Sequence, residues 1–401
     1  MPAVNAEILS WARETAGLSI DEASRKLGIR EARGVTAAER LAALESGNEA
    51  PRRSILAKMA KLYRRPMLVF YMNGPPPKGD RGEDFRNVPQ RHSDAEPLVD
   101  ALVRDIKARQ SMVHAILEDD DETEPLPFIG SMNINDGIGA VLASIRQTLQ
   151  FSLPNFRMQG SVEGAFTLLR NQVETAGVFV LLIGNLGSHH TAIDVSAFRG
   201  FALADRIAPF IVINDQDAKS AWSFTLIHEL THLWLGTTGV SGSFADGQIE
   251  RFCNDVASNF LLPTSELDLV GVDRRTNLQS AATLIGRFAG DRLLGRSMVA
   301  YRLFRAGMLF EATWRALADQ FESEWRQTRA DQRERSKEQE GGPNYYVVRR
   351  HRLGGALLQF VARNMSEGSL TPTKAGKVLG VKPRSVAPLL KGAALPVGEV
   401  A

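Results

Sequence analysis

Hydrophobic positions recur at helical spacing along most of the chain and read as strands in one region only. From Asn5 to Met72 the pattern is a run of short helices. Ile8, Trp11 and Ala12 form one apolar stripe before Gly17, and Ser19 with Glu22 predicts a capped helix Ser19–Leu27 that Gly28 stops. A last helix, Ile55–Tyr63, follows Pro51 and ends at Arg64-Arg65-Pro66. Leu98–Leu117, Ile138–Gln150 and Val162–Ala176 also read as helices. Then come three strand-like runs bounded by Gly, Asp or Pro: Val178–Ile183, Gly200–Ala204 and Pro209–Asn214. Helical spacing returns through His228, from Glu250 to Pro263, at Leu278–Ala289 and Ser297–Ala306, and in the charged stretch Gln320–Glu340. The pattern predicts an α+β fold, mostly α, with one small sheet.

Breaks in periodicity suggest the domain plan. Asn73–Gly82 is rich in Pro and Gly and has no period, so 1–72 is expected to be a helical domain and 73–97 a linker. Residues 98–270 would hold the sheet and the helices around it, 271–340 a helical extension, and 341–401 a basic helical module set off by Gly341-Gly342-Pro343. Leu370–Val381 echoes Leu18–Ile29: Leu, then Ser or Thr, then Ala, then Leu-Gly and Ile or Val recur at the same offsets.

Composition narrows the class without naming a function. The 401 residues include 44% hydrophobic ones, enough for real cores, and a net charge of +2 leaves no global field for a polyanion. Local patches must therefore supply any nucleic-acid affinity. A single Cys excludes an internal disulfide framework. No charged-then-apolar signal pattern opens the chain, and Val178–Ile183 is too short to span a bilayer, so the protein is expected to be cytoplasmic, with no membrane partner.

The stretch Phe224–His232, with His228-Glu229-Leu230-Thr231-His232 at its end, carries the clearest chemistry. Two His at i and i+4 lie one turn apart on one helix face and can reach one Zn²⁺. Glu229 is rotated about 100° from His228, so it can act as a general base without binding the metal. Leu226, Leu230 and Leu233 form a separate apolar stripe, which implies that the His pair lies off the core face. A third ligand is expected downstream on the helix from Glu250. There Phe252, Val256 and Phe260 mark the buried side, while Glu250, Cys253, Asn254 and Ala257 share the other. Glu250 is the candidate and Cys253 its rival. His189-His190, between two strands, reads as a loop pair. The acidic run Glu118–Glu124 reads as a solvated turn, lacking the glycine and alternating ligands of a calcium loop.

His-Glu-Leu-Thr-His after Phe224-Thr225-Leu226, followed by Glu250, Asn254 and Leu261-Leu262-Pro263, resembles the zinc metallopeptidase domain of the ImmA/IrrE type. The resemblance implies a minimal zincin-like (gluzincin) domain in which His228, His232 and Glu250 bind Zn²⁺, Glu229 is the catalytic base, and relatives cleave or otherwise relieve a repressor. The chain departs from it at Ile227 and Thr231, where smaller residues are usual, and at Cys253, where Ala is usual. The Asn5–Met72 region resembles the Cro/repressor-type helix-turn-helix, which occurs in chains fused to such a peptidase domain.

Charge agrees with DNA binding at the N-terminus only mildly. Residues 1–72 hold twelve Lys/Arg against eight Asp/Glu, with Arg52 and Arg53 placed for phosphate contacts. Thr36–Leu44, in the position of a recognition helix, offers Arg40 but otherwise mostly Ala and Leu, and the chain between Gly28 and Glu45 is long for a compact member. A helical protein-interaction module is the alternative. Residues 329–401 carry thirteen Lys/Arg against six Asp/Glu, which suits a packing or dimerisation module with a solvated basic face, or contact with nucleic acid or an acidic partner. The leading expectation is a transcriptional regulator that binds an operator-type duplex, as a homodimer, and carries a zinc-dependent endopeptidase acting on a protein partner. An antitoxin that binds DNA and a cognate toxin, using the peptidase fold as a scaffold, and a plain zinc peptidase remain open beside it.

Overall fold

A computed structural model describes residues 3–76, 95–120, 123–241, 247–338 and 344–391. The linker expected at Asn73–Gly82 lies mostly outside these residues, Asp121, Glu122 and the break at Gly341–Pro343 entirely so. The described chain is mostly helical with one small mixed sheet, an α+β arrangement. It separates into two compact units, one of residues up to 76 with 95–105 and 185–193, the other of 106–184 and 194 onward.

In the first unit, α1 (Ala6–Glu14), α2 (Ile20–Leu27), α3 (Ala37–Glu45) and α4 (Arg53–Leu62) enclose Ile8, Leu9, Ala12, Ala23, Leu27, Leu41, Leu56 and Met59. The local signals act as read: Ser19 Oγ accepts from Glu22 N at 3.2 Å, and Gly28 ends α2 with a left-handed φ of 70°. Thr36 and Glu39 form a reciprocal capping box that starts α3. Residues 28–36 separate α2 from α3, pinned by a bridge between Ala32 and Val35.

The long α5 (Glu96–Glu118) leads to α6 (Gly137–Leu149), α7 (Leu153–Arg157) and α8 (Val162–Thr175). The sheet follows, with β1 (Phe179–Leu182), β2 (Gly200–Leu203), β3 (Phe210–Ile213) and β4 (Gly239–Ser241) in the order β1-β3-β2-β4. β1 and β3 run parallel, the other two pairings antiparallel. β1, β2 and β3 are buried along their whole length, which explains their unbroken apolar runs. The three-residue β4 has no such run and was not foreseen.

Across this sheet packs α9 (Lys219–Trp234), against α8, β2, β3 and α10 (Gln248–Leu261). Leu226, Leu230 and Leu233 enter the main core as their spacing required, joined by Ile227 and Trp234. The expectation that the His pair lies away from the interior does not hold: α9 is buried all round from Thr225 to Trp234. The polar side of α10 is likewise interior, with Glu250, Cys253 and Ala257 buried and Phe252 only partly so. Two polar faces can both be internal because they meet each other rather than an apolar wall.

Behind them are α11 (Leu278–Asp291), α12 (Arg296–Arg305) and α13 (Glu311–Glu338). Asp255 ties α10 to α12, accepting from Tyr301 Oη at 2.9 Å and from Arg305 Nε at 2.8 Å. The chain closes with α14 (Tyr345–Leu353), α15 (Gly355–Ser366), α16 (Pro372–Val378), a 3-10 turn Pro383–Ser385 and α17 (Val386–Leu390). Glu174 of α8 accepts from the backbone N–H groups of Gly355 and Ala356 at 3.0 and 3.2 Å, and the buried Arg170 donates to carbonyls of β1 and α14, so the C-terminal helices dock on the sheet side of α8.

Candidate metal centre

α9 places His228 and His232 one turn apart, and α10 presents Glu250 opposite them. His228 Nε2 lies 3.2 Å from His232 Nε2 and 3.1 Å from Glu250 Oε2, while His232 Nε2 lies 3.2 Å from Glu250 Oε1. Tetrahedral zinc bonds of about 2.0–2.1 Å put neighbouring ligand atoms roughly 3.3 Å apart, so these three donors already stand near the edges of such a coordination shell. Among the described residues they are the only group of three or more His, Cys, Asp or Glu able to hold one ion. Cys253, the rival ligand, is buried but is not a member of that group. His189 and His190 lie in a 3-10 turn, His189–Thr191, and His190 is not a member either.

The electrostatics suit a cation. Burial works against the charged form of His228, but the hydrogen bond and charge of Glu250 outweigh it, with Glu229 and Asn254 adding to them, and the imidazole pKa is raised. Burial also opposes ionisation of Glu250, and the two imidazoles overcome it, holding the carboxyl well below the usual carboxylate range. A carboxylate kept ionised between two imidazoles supplies the anionic charge that a divalent ion needs.

The end of α9 orients the second imidazole. Gly236 takes a left-handed φ of 66° and Thr237 N returns to His232 O at 2.9 Å, which brings Thr237 Oγ1 to 2.9 Å from His232 Nδ1. The same hydroxyl lies 3.3 Å from His232 O. By donating to the carbonyl it is left to accept from Nδ1–H, and Nε2 then carries a lone pair toward the other donors. Nothing in the spacing of the motif pointed to Thr237. Its only signal was its position just after a helix-ending glycine.

Glu229, between the two His, is fully buried and lies over β2. A Cβ on Gly200 would sit 2.7 Å from Glu229 Oε1 and 2.7 Å from Thr225 Cγ2, so the strand admits only glycine there without displacing the helix side chains. Arg199, to which the sequence assigned no role, pairs with the buried Asp217 at 2.8 Å and holds the turn that leads into α9.

The residues proposed for phosphate contact lie in the first unit. Arg52 and Arg53 are exposed side by side at the start of α4, whereas Arg40 is partly buried on α3 and donates to Arg30 O at 2.5 Å, bracing the 28–36 loop.

Residues 187–303 match the family model of a peptidase family, described as the IrrE N-terminal-like domain. The match begins ahead of β2 and ends within α12, so it contains His228, Glu229, His232 and Glu250. The chain thus carries a metallopeptidase-like domain similar to that of IrrE and ImmA, and the family implies a metal ion for which His228, His232 and Glu250 offer the ligands. No curated protein and no solved structure matches the chain.

Proposed function

We propose that this protein is a DNA-binding transcriptional regulator whose central domain is a zinc-dependent endopeptidase acting on a protein partner. The observation that carries the reading is the convergence of three buried donors, 3.1–3.2 Å apart, two of them on the helix that also carries Glu229. Zinc bound there supplies a Lewis acid for the scissile carbonyl and brings the pKa of a water near 7. Glu229 takes a proton from the attacking water and later delivers it to the leaving amine. The missing side chain at Gly200 leaves the space over β2 that its carboxyl group occupies. β4 is an edge strand beside β2, and a sheet edge can receive an extended peptide by backbone pairing. The exposed Arg52 and Arg53 at the start of α4 support contact of the N-terminal helices with duplex phosphates.

The test begins with elemental analysis of chain purified without chelator, where about one zinc per polypeptide is expected. Glu229→Gln should then keep the metal and the DNA affinity while abolishing cleavage of the physiological partner. Cleavage by that variant at the wild-type rate rules out the base. A metal-free wild-type chain that stays so after zinc is supplied leaves the peptidase fold as a binding scaffold, as in the antitoxin alternative.

A further inference from the structure

The echo between Leu18–Ile29 and Leu370–Val381 is structural as well as sequential. Thr371 Oγ1 accepts from Lys374 N at 3.3 Å, as Ser19 does from Glu22 N. Gly380 ends its helix with a left-handed φ of 61°, and Val381 N folds back to Gly376 O at 2.8 Å, as Ile29 N does to Ser24 O at 3.0 Å. Beyond this point the two diverge. In the N-terminal copy residues 28–36 intervene before the next helix, whereas in the C-terminal copy helical backbone resumes at Pro383. That is the three- to four-residue turn of a helix-turn-helix. Gly376 permits it: a Cβ there would meet Val381 O at 2.9 Å and Pro383 N at 3.3 Å, so the second element leaves directly over the first. Val386 and Leu389 are buried, α17 packs on α14 and α16, and α15 packs on α16.

The outer side of this element has one sign of charge. From Thr371 to Lys391 there are five cations, Lys374, Lys377, Lys382, Arg384 and Lys391, and no Asp or Glu. All five are exposed, and among the described residues none makes an ion pair. Other exposed arginines of the same unit do pair: Arg315 with Glu311, Arg326 with Glu322, Arg363 with Glu367. Arg384, Ala387 and Lys391 are the exposed i, i+3 and i+7 positions of the second element. No large apolar side chain is exposed between Thr371 and Lys391, so the face lacks the apolar anchors of a protein interface. The exposed hydroxyls of Thr371 and Thr373 beside Lys374 instead suit phosphate oxygens.

We propose that Thr371–Lys391 is a second duplex-binding element, with Pro383–Leu390 facing the groove and the five cations on the flanking phosphates. It is independent of any contact made by Arg52 and Arg53. The test is fluorescence anisotropy of the full chain with a labelled mixed-sequence DNA duplex of about 30 base pairs, the length of three helical turns, titrated at several KCl concentrations. Lys382→Ala/Arg384→Ala is expected to weaken binding about tenfold at low salt and to reduce the slope of log K against log[KCl] by about 1.8, which is two phosphates' worth. Arg315→Ala/Arg326→Ala removes the same charge from α13 and should match the wild type. Equal affinity and slope for Lys382→Ala/Arg384→Ala and wild type overturns the proposal, as does a wild-type chain that binds no duplex. Loss confined to Arg52→Ala/Arg53→Ala assigns the duplex to the N-terminal helices alone and also overturns it. Loss confined to Lys382→Ala/Arg384→Ala upholds it and removes the N-terminal reading instead.

Discussion

Glu229 and Gly200 are matched: the buried carboxylate occupies the space that any side chain at position 200 would take, with only 2.7 Å between Oε1 and an added Cβ. Gly200→Ala must therefore move Glu229 or Thr225 within a closed interior. The expected cost is about 1–3 kcal/mol of stability. Urea denaturation measures it, and metal content should stay at the wild-type level because the atoms nearest the new methyl group belong to Glu229 and Thr225 and not to the ligands.

Thr237 sets the orientation of His232 through one hydroxyl. Thr237→Val keeps the shape and removes both hydrogen bonds, and it should weaken metal binding about 10–100-fold. Thr237→Ser should restore most of the affinity. Competition against a chromogenic chelator reads both variants, and equal affinities for Val and Thr would show that the hydroxyl has no part in the centre.

One hydrogen bond within the centre does not depend on the metal, between His228 Nε2 and Glu250 Oε2 at 3.1 Å. Chelation should thus lower the melting temperature without unfolding the chain at room temperature. Zinc at a hundred times its Kd should return about 2.7 kcal/mol. Calorimetry with and without chelator checks this, and Glu250→Ala should lose the zinc-dependent part.

Asp205 closes the turn between β2 and β3, with Oδ1 accepting from Ile207 N at 2.9 Å, from Ala208 N at 2.7 Å, and pairing with His114 Nδ1 at 2.9 Å. Burial opposes its ionisation, but these partners hold the pKa below the ordinary value. The folded state therefore binds its proton less readily than the unfolded chain. Its contribution is complete above the unfolded pKa, near 4, and is lost as pH falls through the lower folded value. Asp205→Asn should cost about 1–2 kcal/mol at pH 7 and progressively less as pH falls below about 4. Melting curves across that range test the sign.

Much of this was readable from short-range signals. Ser19 and Gly28 announce α2, the apolar runs announce β1, β2 and β3, and the His228–His232 spacing with Glu250 downstream names the donors that the fold assembles. Those signals are local because helix caps, strand runs and i, i+4 spacing act within a few residues of chain. Gly200 beneath Glu229, Thr237 behind His232 and the interior polar face of α10 were not readable, because each depends on residues far apart in sequence or on a backbone turn that no pattern encodes. The pattern of α9 likewise marked an apolar stripe and a polar one, and only the packing of α10 over the polar one made both of them interior. Sequence by itself determined which residues could bind a metal. Tertiary structure decided that they meet, how they are oriented, and that they lie in the interior.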